Sequence, residues 1–231
     1  MPEQPDQLPL ILLRELQEQL GDRLAVLVVH GNLGRIGVST EEVDTVFLTY
    51  LHGDHVGWSL EPDGGPAFPG ARYVTQEAEW ESAEPYLRKA MSSLDDLGVL
   101  KLMDGEEPLT EELTAIPTPG HSPGHVSLLV SSGGERALVL GDVVAHPAQV
   151  TENTWNIAFD VDKELAAFTR AQLLDWLEAD GMPVDAGHIP GSGFGRVVRE
   201  GGRRYWEPLE QTTVMGPSAR VTFSKEAESE R

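Results

Sequence analysis

No cysteine occurs in the 231 residues. This excludes disulfides, thiolate metal sites and a thiol nucleophile, and it fits a reducing compartment such as the cytoplasm. Basic residues are scarce, 17 Lys and Arg against 38 Asp and Glu, for a formal charge of −21. A nucleic-acid partner is not expected, because binding a phosphate backbone needs a basic surface. The same charge repels anionic substrates unless a metal offsets it locally, and its ordinary consequence is solubility. Long apolar runs are missing as well. No stretch reaches the roughly 20 residues of a membrane-spanning helix, so no membrane partner is expected. The start, Met1-Pro2-Glu3-Gln4-Pro5-Asp6, lacks the basic opening of a signal peptide, and the expected location is cytoplasmic.

What is present suffices for one sizeable core, since 40% of the residues are hydrophobic. A single domain is expected over 1–211, with a divergent N-terminal segment 1–42 and a polar tail 212–231 that frays. Leu8 to Leu20 reads as an amphipathic helix stopped by Gly21, and Leu24 to Val29 as a short buried strand. Val43 to Leu48 reads as a strand, and Glu61 to Gly70, rich in Pro and Gly, as a loop. Gln76 to Leu94 reads as helical, with Pro85 opening its second part. Strands are expected at Val99–Leu102, Leu113–Ile116, Val126–Val130 and Ala137–Leu140. Asp162 is placed to cap a helix through Ala179 that Gly181 stops, with Leu165, Phe168, Leu173, Leu174 and Leu177 as its buried face. Gly195–Arg199 and Arg203–Trp206 read as a hairpin around Gly201-Gly202.

Chemistry concentrates at strand ends. In Leu48-Thr49-Tyr50-Leu51-His52-Gly53-Asp54-His55-Val56-Gly57, two histidines and a carboxylate leave one strand together. Imidazole nitrogen and carboxylate oxygen suit a borderline divalent ion, zinc first, with iron or manganese as alternatives. Three further segments follow in order: Thr118-Pro119-Gly120-His121-Ser122-Pro123-Gly124-His125, Leu140-Gly141-Asp142 and Ala186-Gly187-His188.

Together these segments resemble the metallo-β-lactamase superfamily, whose signature is H-x-H-x-D-H. The resemblance runs from about Val43 to Leu209. Gly57-Trp58, Phe68-Pro69-Gly70-Ala71-Arg72-Tyr73, His146-Pro147-Ala148-Gln149 and Gly195-Arg196-Val197-Val198 are most similar to the branch of lactonases and methyl parathion hydrolase. The resemblance implies a four-layer αββα sandwich with the site at one edge, where strand ends meet. It further implies two metal sites. Tyr50, His52 and His121 would serve the first, Asp54, His55 and His188 the second, and Asp142 would bridge them. Two ions flanking one hydroxide would lower its pKa and polarise a carbonyl or phosphoryl oxygen, with Asp54 orienting the attack. Relatives carry several strands before the metal loop, whereas only Leu24–Val29 is available here. The first sheet is therefore expected to be incomplete, covered by a repacked N-terminal segment or by a second subunit in a homodimer.

Tyr50 stands where the signature has its first histidine. As phenolate it would suit ferric iron; as neutral phenol it would pack in the core or hydrogen-bond a water. One ion at the second site, or a pair with a weak first member, is the expected state. Three functions stay open. The favoured one is a metal-dependent hydrolase of a neutral lactone, ester or phosphotriester acting through a metal-bound hydroxide, a small-molecule enzyme with Asp54 and Tyr50 in the chemistry. A non-hydrolytic metal-dependent cyclase or lyase is the second, and a degenerate binding protein of the same fold the third. Trp58, Phe68, His146, Trp155 and Phe159 are expected pocket residues. His30 reads as solvated or core, and His125 as a loop support.

Overall fold

The computed structural model describes residues 33–34, 37–191 and 193–209. The helix expected at Leu8–Leu20, the strand at Leu24–Val29, His30 and the tail from Thr212 lie outside them. Sixteen elements position the site: β1 (Thr45–Phe47), α1 (Gly53–Val56), β2 (Arg72–Gln76), α2 (Glu77–Ser82), α3 (Pro85–Ala90), α4 (Ser92–Asp96), β3 (Leu100–Met103), β4 (Glu107–Pro108), β5 (Leu113–Pro117), β6 (Val126–Ser132), β7 (Glu135–Val139), α5 (Ala148–Thr151), α6 (Lys163–Asp180), β8 (Val184–Asp185), β9 (Phe194–Glu200) and β10 (Arg203–Pro208).

Among the described residues the first sheet has three strands in the order β1-β2-β3, all parallel. The second has seven in the order β10-β9-β8-β7-β6-β5-β4, antiparallel except for the β7–β8 pair. Three buried clusters separate four layers. Leu48, Leu51, Tyr73, Leu87, Met91 and Leu94 pack helices α2–α4 against the first sheet. Val74, Met103, Ala115 and Val126 join the sheets to one another. Leu138, Leu140, Leu173, Leu174 and Leu177 seat α6 on the second sheet. Each fully buried leucine contributes roughly 1.5–3 kcal/mol relative to exposure.

The helical stretch from Gln76 is broken into three short helices. Pro85 occupies the first turn of α3 and holds Glu84 extended, with ψ 137, as the residue before a proline must be. Helix α6 is capped by Asp162 Oδ1, which accepts from Leu165 N at 2.9 Å, and it ends at Gly181. Its buried face differs from the expected one. Ala166, Arg170, Leu173, Leu174 and Leu177 point inward, a regular helical stripe, whereas Leu165 is half-buried and Phe168 is 60% exposed. A charged residue holds a core-facing position, so hydrophobicity alone set the stripe wrongly.

The parallel β7–β8 pair positions the site. A crossover through α6 joins the two strands, so their C-terminal ends lie side by side. Asp142 follows one and His188 the other. No helix among the described residues is long and apolar enough to cross a membrane.

Candidate metal centre

Four loops converge on the C-terminal ends of β1, β5, β7 and β8, bringing together His52, Asp54, His55, His121, Asp142 and His188. His52 Nδ1 and His121 Nε2 face each other at 3.2 Å. Asp142 Oδ2 lies 3.7 Å from His121 Nε2 and 3.2 Å from His188 Nε2. His188 Nε2 is 3.4 Å from Asp54 Oδ2, and His55 Nε2 is 3.9 Å from it. His55 Nε2 is 3.5 Å from Asp142 Oδ1. Ligands at about 2.1 Å from a tetrahedral zinc lie about 3.4 Å apart, close to these separations. Asp54, His55 and His188 alone offer three donor atoms within 4.8 Å of one another.

The centre is closed on one flank and open on the other. The His121 side chain is 2% exposed, whereas those of Asp54 and His188 are 57% and 45% exposed, so the centre opens to solvent on the Asp54 side. A cavity of about 710 Å³ opens there, lined by Glu84, Tyr86, Leu87, Ile157, Ala158 and Phe159 along with the centre itself.

Buried polar groups hold the ligand loops. Glu79 is 3% exposed, and its carboxylate accepts from Leu51 N at 2.9 Å and from Gly124 N at 3.0 Å, clamping the His52 loop to the His121 loop. A Cβ on Gly124 would meet Glu79 N at 2.2 Å, so the clamp needs glycine there. His121 Nδ1–H donates to Asp160 Oδ1 at 3.0 Å, which leaves Nε2 free as a donor atom for a cation, the usual arrangement for a ligating histidine. Burial works to raise the Asp160 carboxyl, but His121, the Ile157 N–H and Arg170 keep it below the usual carboxylate range. Arg170 in turn donates from Nε to Val143 O at 2.8 Å and from Nη1 to Trp155 O at 2.7 Å, which explains an arginine on the buried face of α6. Thr49 Oγ1 lies 3.3 Å from His55 Nδ1 and leaves His55 Nε2 turned to the centre. Burial would raise the Asp142 carboxyl too; His55 and its other neighbours overcome this and hold it at about 2. The His52 imidazole is pushed down, first by burial and then by the charge of His121.

Tyr50 is fully buried at the base of the centre. Its ring centroid lies 4.8 Å from those of His52 and His121, 4.0 Å from His55 and 5.2 Å from His125. Its hydroxyl is buried against the Asp142 carboxylate. Burial, then the Asp142 charge, pushes the phenol far up.

Of the expected pocket residues only Phe159 lines the cavity. Phe68 is buried in the core of the first sheet, where Tyr73 and Leu48 pack. Trp58 and Trp155 are exposed away from the cavity lining, and exposed His146 accepts from Ala148 N at 3.1 Å at the start of α5. Tyr86, Ile157 and Leu87 take their places as wall residues. Glu79, Asp160 and Arg170 carried no motif signal and emerge only in three dimensions.

The model of the metallo-beta-lactamase superfamily matches residues 10–198, and the chain belongs to that superfamily. It is 30% identical over 142 residues to an N-acyl homoserine lactonase of a Bacillus species, covering 60% of this chain and 53% of the relative. The chain thus spans about half the length of that curated relative. Among solved structures it is similar to the hydrolase AbOPH of the beta lactamase superfamily, at a TM-score of 0.71 and 26% identity over 79% of this chain and 69% of the other. The dizinc quorum-quenching lactonase AidC, solved in complex with a product, shares the fold at a TM-score of 0.70 and 22% identity, over 78% and 69% of the two chains.

Proposed function

We propose that this chain is a metal-dependent hydrolase of neutral lactones or esters with an apolar portion, working in the cytoplasm on small molecules. The observation that carries the reading is the convergence of six donor-bearing side chains whose neighbouring donor atoms lie 3.2–3.9 Å apart, at the base of a cavity walled largely by apolar side chains. The related lactonases support it. Asp54, His55, His188 and Asp142 would hold one divalent ion, and His52, His121 and Asp142 face a second position. Zinc suits this nitrogen and oxygen set best. When bound, such an ion supplies Lewis acidity that activates water and polarises a carbonyl or phosphoryl oxygen.

The protein's own groups do the rest. Asp54, the most open of the carboxylates in the centre, orients the attacking water by accepting its hydrogen bond and takes up its proton. The water oxygen adds to the acyl carbon, the acyl carbon–oxygen bond breaks, and the proton passes to the departing alkoxide, giving a carboxylic acid and an alcohol. Tyr86, Leu87, Ile157 and Phe159 hold the apolar portion. Glu84, beside the acidic centre, disfavours anionic substrates.

A panel of neutral lactones and aryl esters, run with zinc-loaded and chelator-stripped protein in ¹⁸O water, tests this. Zinc-dependent release of an acid carrying one labelled oxygen is expected. Turnover without label would instead identify a cyclase or lyase, and no turnover across the panel at full zinc loading would count against hydrolysis.

A further inference from the structure

Resting on the metal-centre reading above, we propose that the two sides of this centre hold metal unequally. Asp54, His55, His188 and Asp142 bind one divalent ion tightly, whereas His52 and His121 bind a second weakly, because Tyr50 occupies the place of a donor nitrogen.

The donor count differs across the centre. On the open side, His55 Nε2 and His188 Nε2 each lie 3.2–3.9 Å from Asp54 Oδ2 and from one of the two Asp142 oxygens, four donor residues and two of them carboxylates. On the closed side, His52 Nδ1, His121 Nε2 and Asp142 Oδ2 lie 3.2 and 3.7 Å apart in sequence. That is three donors, and the only carboxylate is shared with the other ion. The remaining neighbour is Tyr50, packed between the His52 and His121 rings. A phenol oxygen is not among the usual zinc donors, which are thiolate, imidazole and carboxylate.

The tyrosine is also fixed where it is. Its ring touches four histidines and is fully buried, so it cannot swing aside to let another ligand in. Disturbing an outer partner of a ligating histidine already lowers metal affinity about 10–100-fold, so a missing ligand sets the two sides apart by at least that factor.

The test is a competition titration of the full chain, stripped of metal, with zinc and a chromogenic chelator, followed by elemental analysis after dialysis. Wild type takes up one zinc tightly and a second at least about 100-fold more weakly. Tyr50→His brings the second step up towards the first, and dialysed protein then retains two zinc ions. Tyr50→Phe retains the tight step, since the phenol oxygen does not ligate that ion. His52→Ala removes only the weak step and His188→Ala the tight one, so the proposal stays testable even if Tyr50→His fails to fold. Two equally tight steps in wild type, or loss of the tight ion in Tyr50→Phe, overturns the inequality while leaving the hydrolase reading intact. Failure of wild type to retain any zinc overturns both.

Discussion

His125 Nε2 accepts the backbone N–H of Asp142 at 2.9 Å. The proton positions around this bond are fixed from both ends. Ser127 Oγ donates to Leu140 O at 3.1 Å, so Thr118 Oγ1 must donate to Ser127 Oγ at 3.0 Å, and His125 Nδ1–H to Thr118 Oγ1 at 2.9 Å. His125 is therefore neutral with its lone pair on Nε2, as the Asp142 N–H requires. Gly141 belongs to the same arrangement. Its φ is +57, and a Cβ there would meet His125 Nε2 at 2.6 Å. A histidine that binds no metal in this account thus places the central carboxylate.

Replacing it should be costly for that reason. His125→Ala opens a cavity and orphans the Asp142 N–H, and about 2–4 kcal/mol of stability should be lost. Asp142→Asn keeps the N–H and the shape but removes the charge between the ligands, so it should lower zinc binding far more than it lowers the melting temperature. Thermal melts and zinc titrations of both variants check this; equal profiles would contradict the division of labour.

The metal-free protein should be acid-sensitive from below neutrality. Burial, then the charge of His121, lowers the His125 imidazole to about 3, against about 6.5 in an unfolded chain. The unfolded state thus binds the extra proton first, so the stability from neutral His125 is complete above about pH 6.5 and lost as pH falls towards about 3. Asp142, held at about 2, adds a loss in the same direction below its unfolded value of about 3.9. Urea midpoints of chelated protein across pH 3–7 should fall steadily with acid, whereas a flat profile would contradict the buried, neutral His125.

Asp160 positions His121 without facing the cavity. Asp160→Asn should weaken zinc binding by about 10–100-fold, the usual cost of disturbing an outer partner of a ligating histidine. Asp160→Ala should in addition destabilise the fold by about 3–5 kcal/mol, since it leaves the buried Arg170 guanidinium without its carboxylate. Zinc competition and chemical denaturation would separate the two effects.

Phe159 is 73% exposed and lines the cavity, so Phe159→Ala should spare stability. It should raise KM for esters with an apolar chain several-fold while leaving kcat nearly unchanged, because a wall contact binds ground and transition states alike. Steady-state kinetics on short- and long-chain esters would show whether the effect grows with chain length.

The convergence of His52, Asp54, His55, His121, Asp142 and His188 was legible because each sits beside a strand end within a short segment, so spacing along the chain reports spacing in the fold. Groups that reach the centre from far away were not. Asp160 lies 39 residues from the histidine it orients, and Glu79 lies 28 and 45 residues from the two amides it clamps. Phe168 was misplaced because Arg170 holds a core-facing turn of α6 through hydrogen bonds to Val143 and Trp155, where an apolar residue would be expected. Trp155 resembled a pocket wall, yet its carbonyl rather than its ring carries its structural role, accepting from Arg170 and from Gln149 Nε2 at 2.9 Å. Aromatic type could identify such residues as interesting but could not say which way they face.

Anomalous diffraction at the zinc edge, on crystals of the chain purified with zinc, tests the central claim most directly. The account predicts one strong peak about 2.0–2.2 Å from the donor atoms of Asp54, His55, Asp142 and His188, and a weaker or partly occupied one beside His52 and His121. A zinc-loaded crystal with no peak among these six side chains, or with its strongest peak elsewhere on the protein, would contradict it.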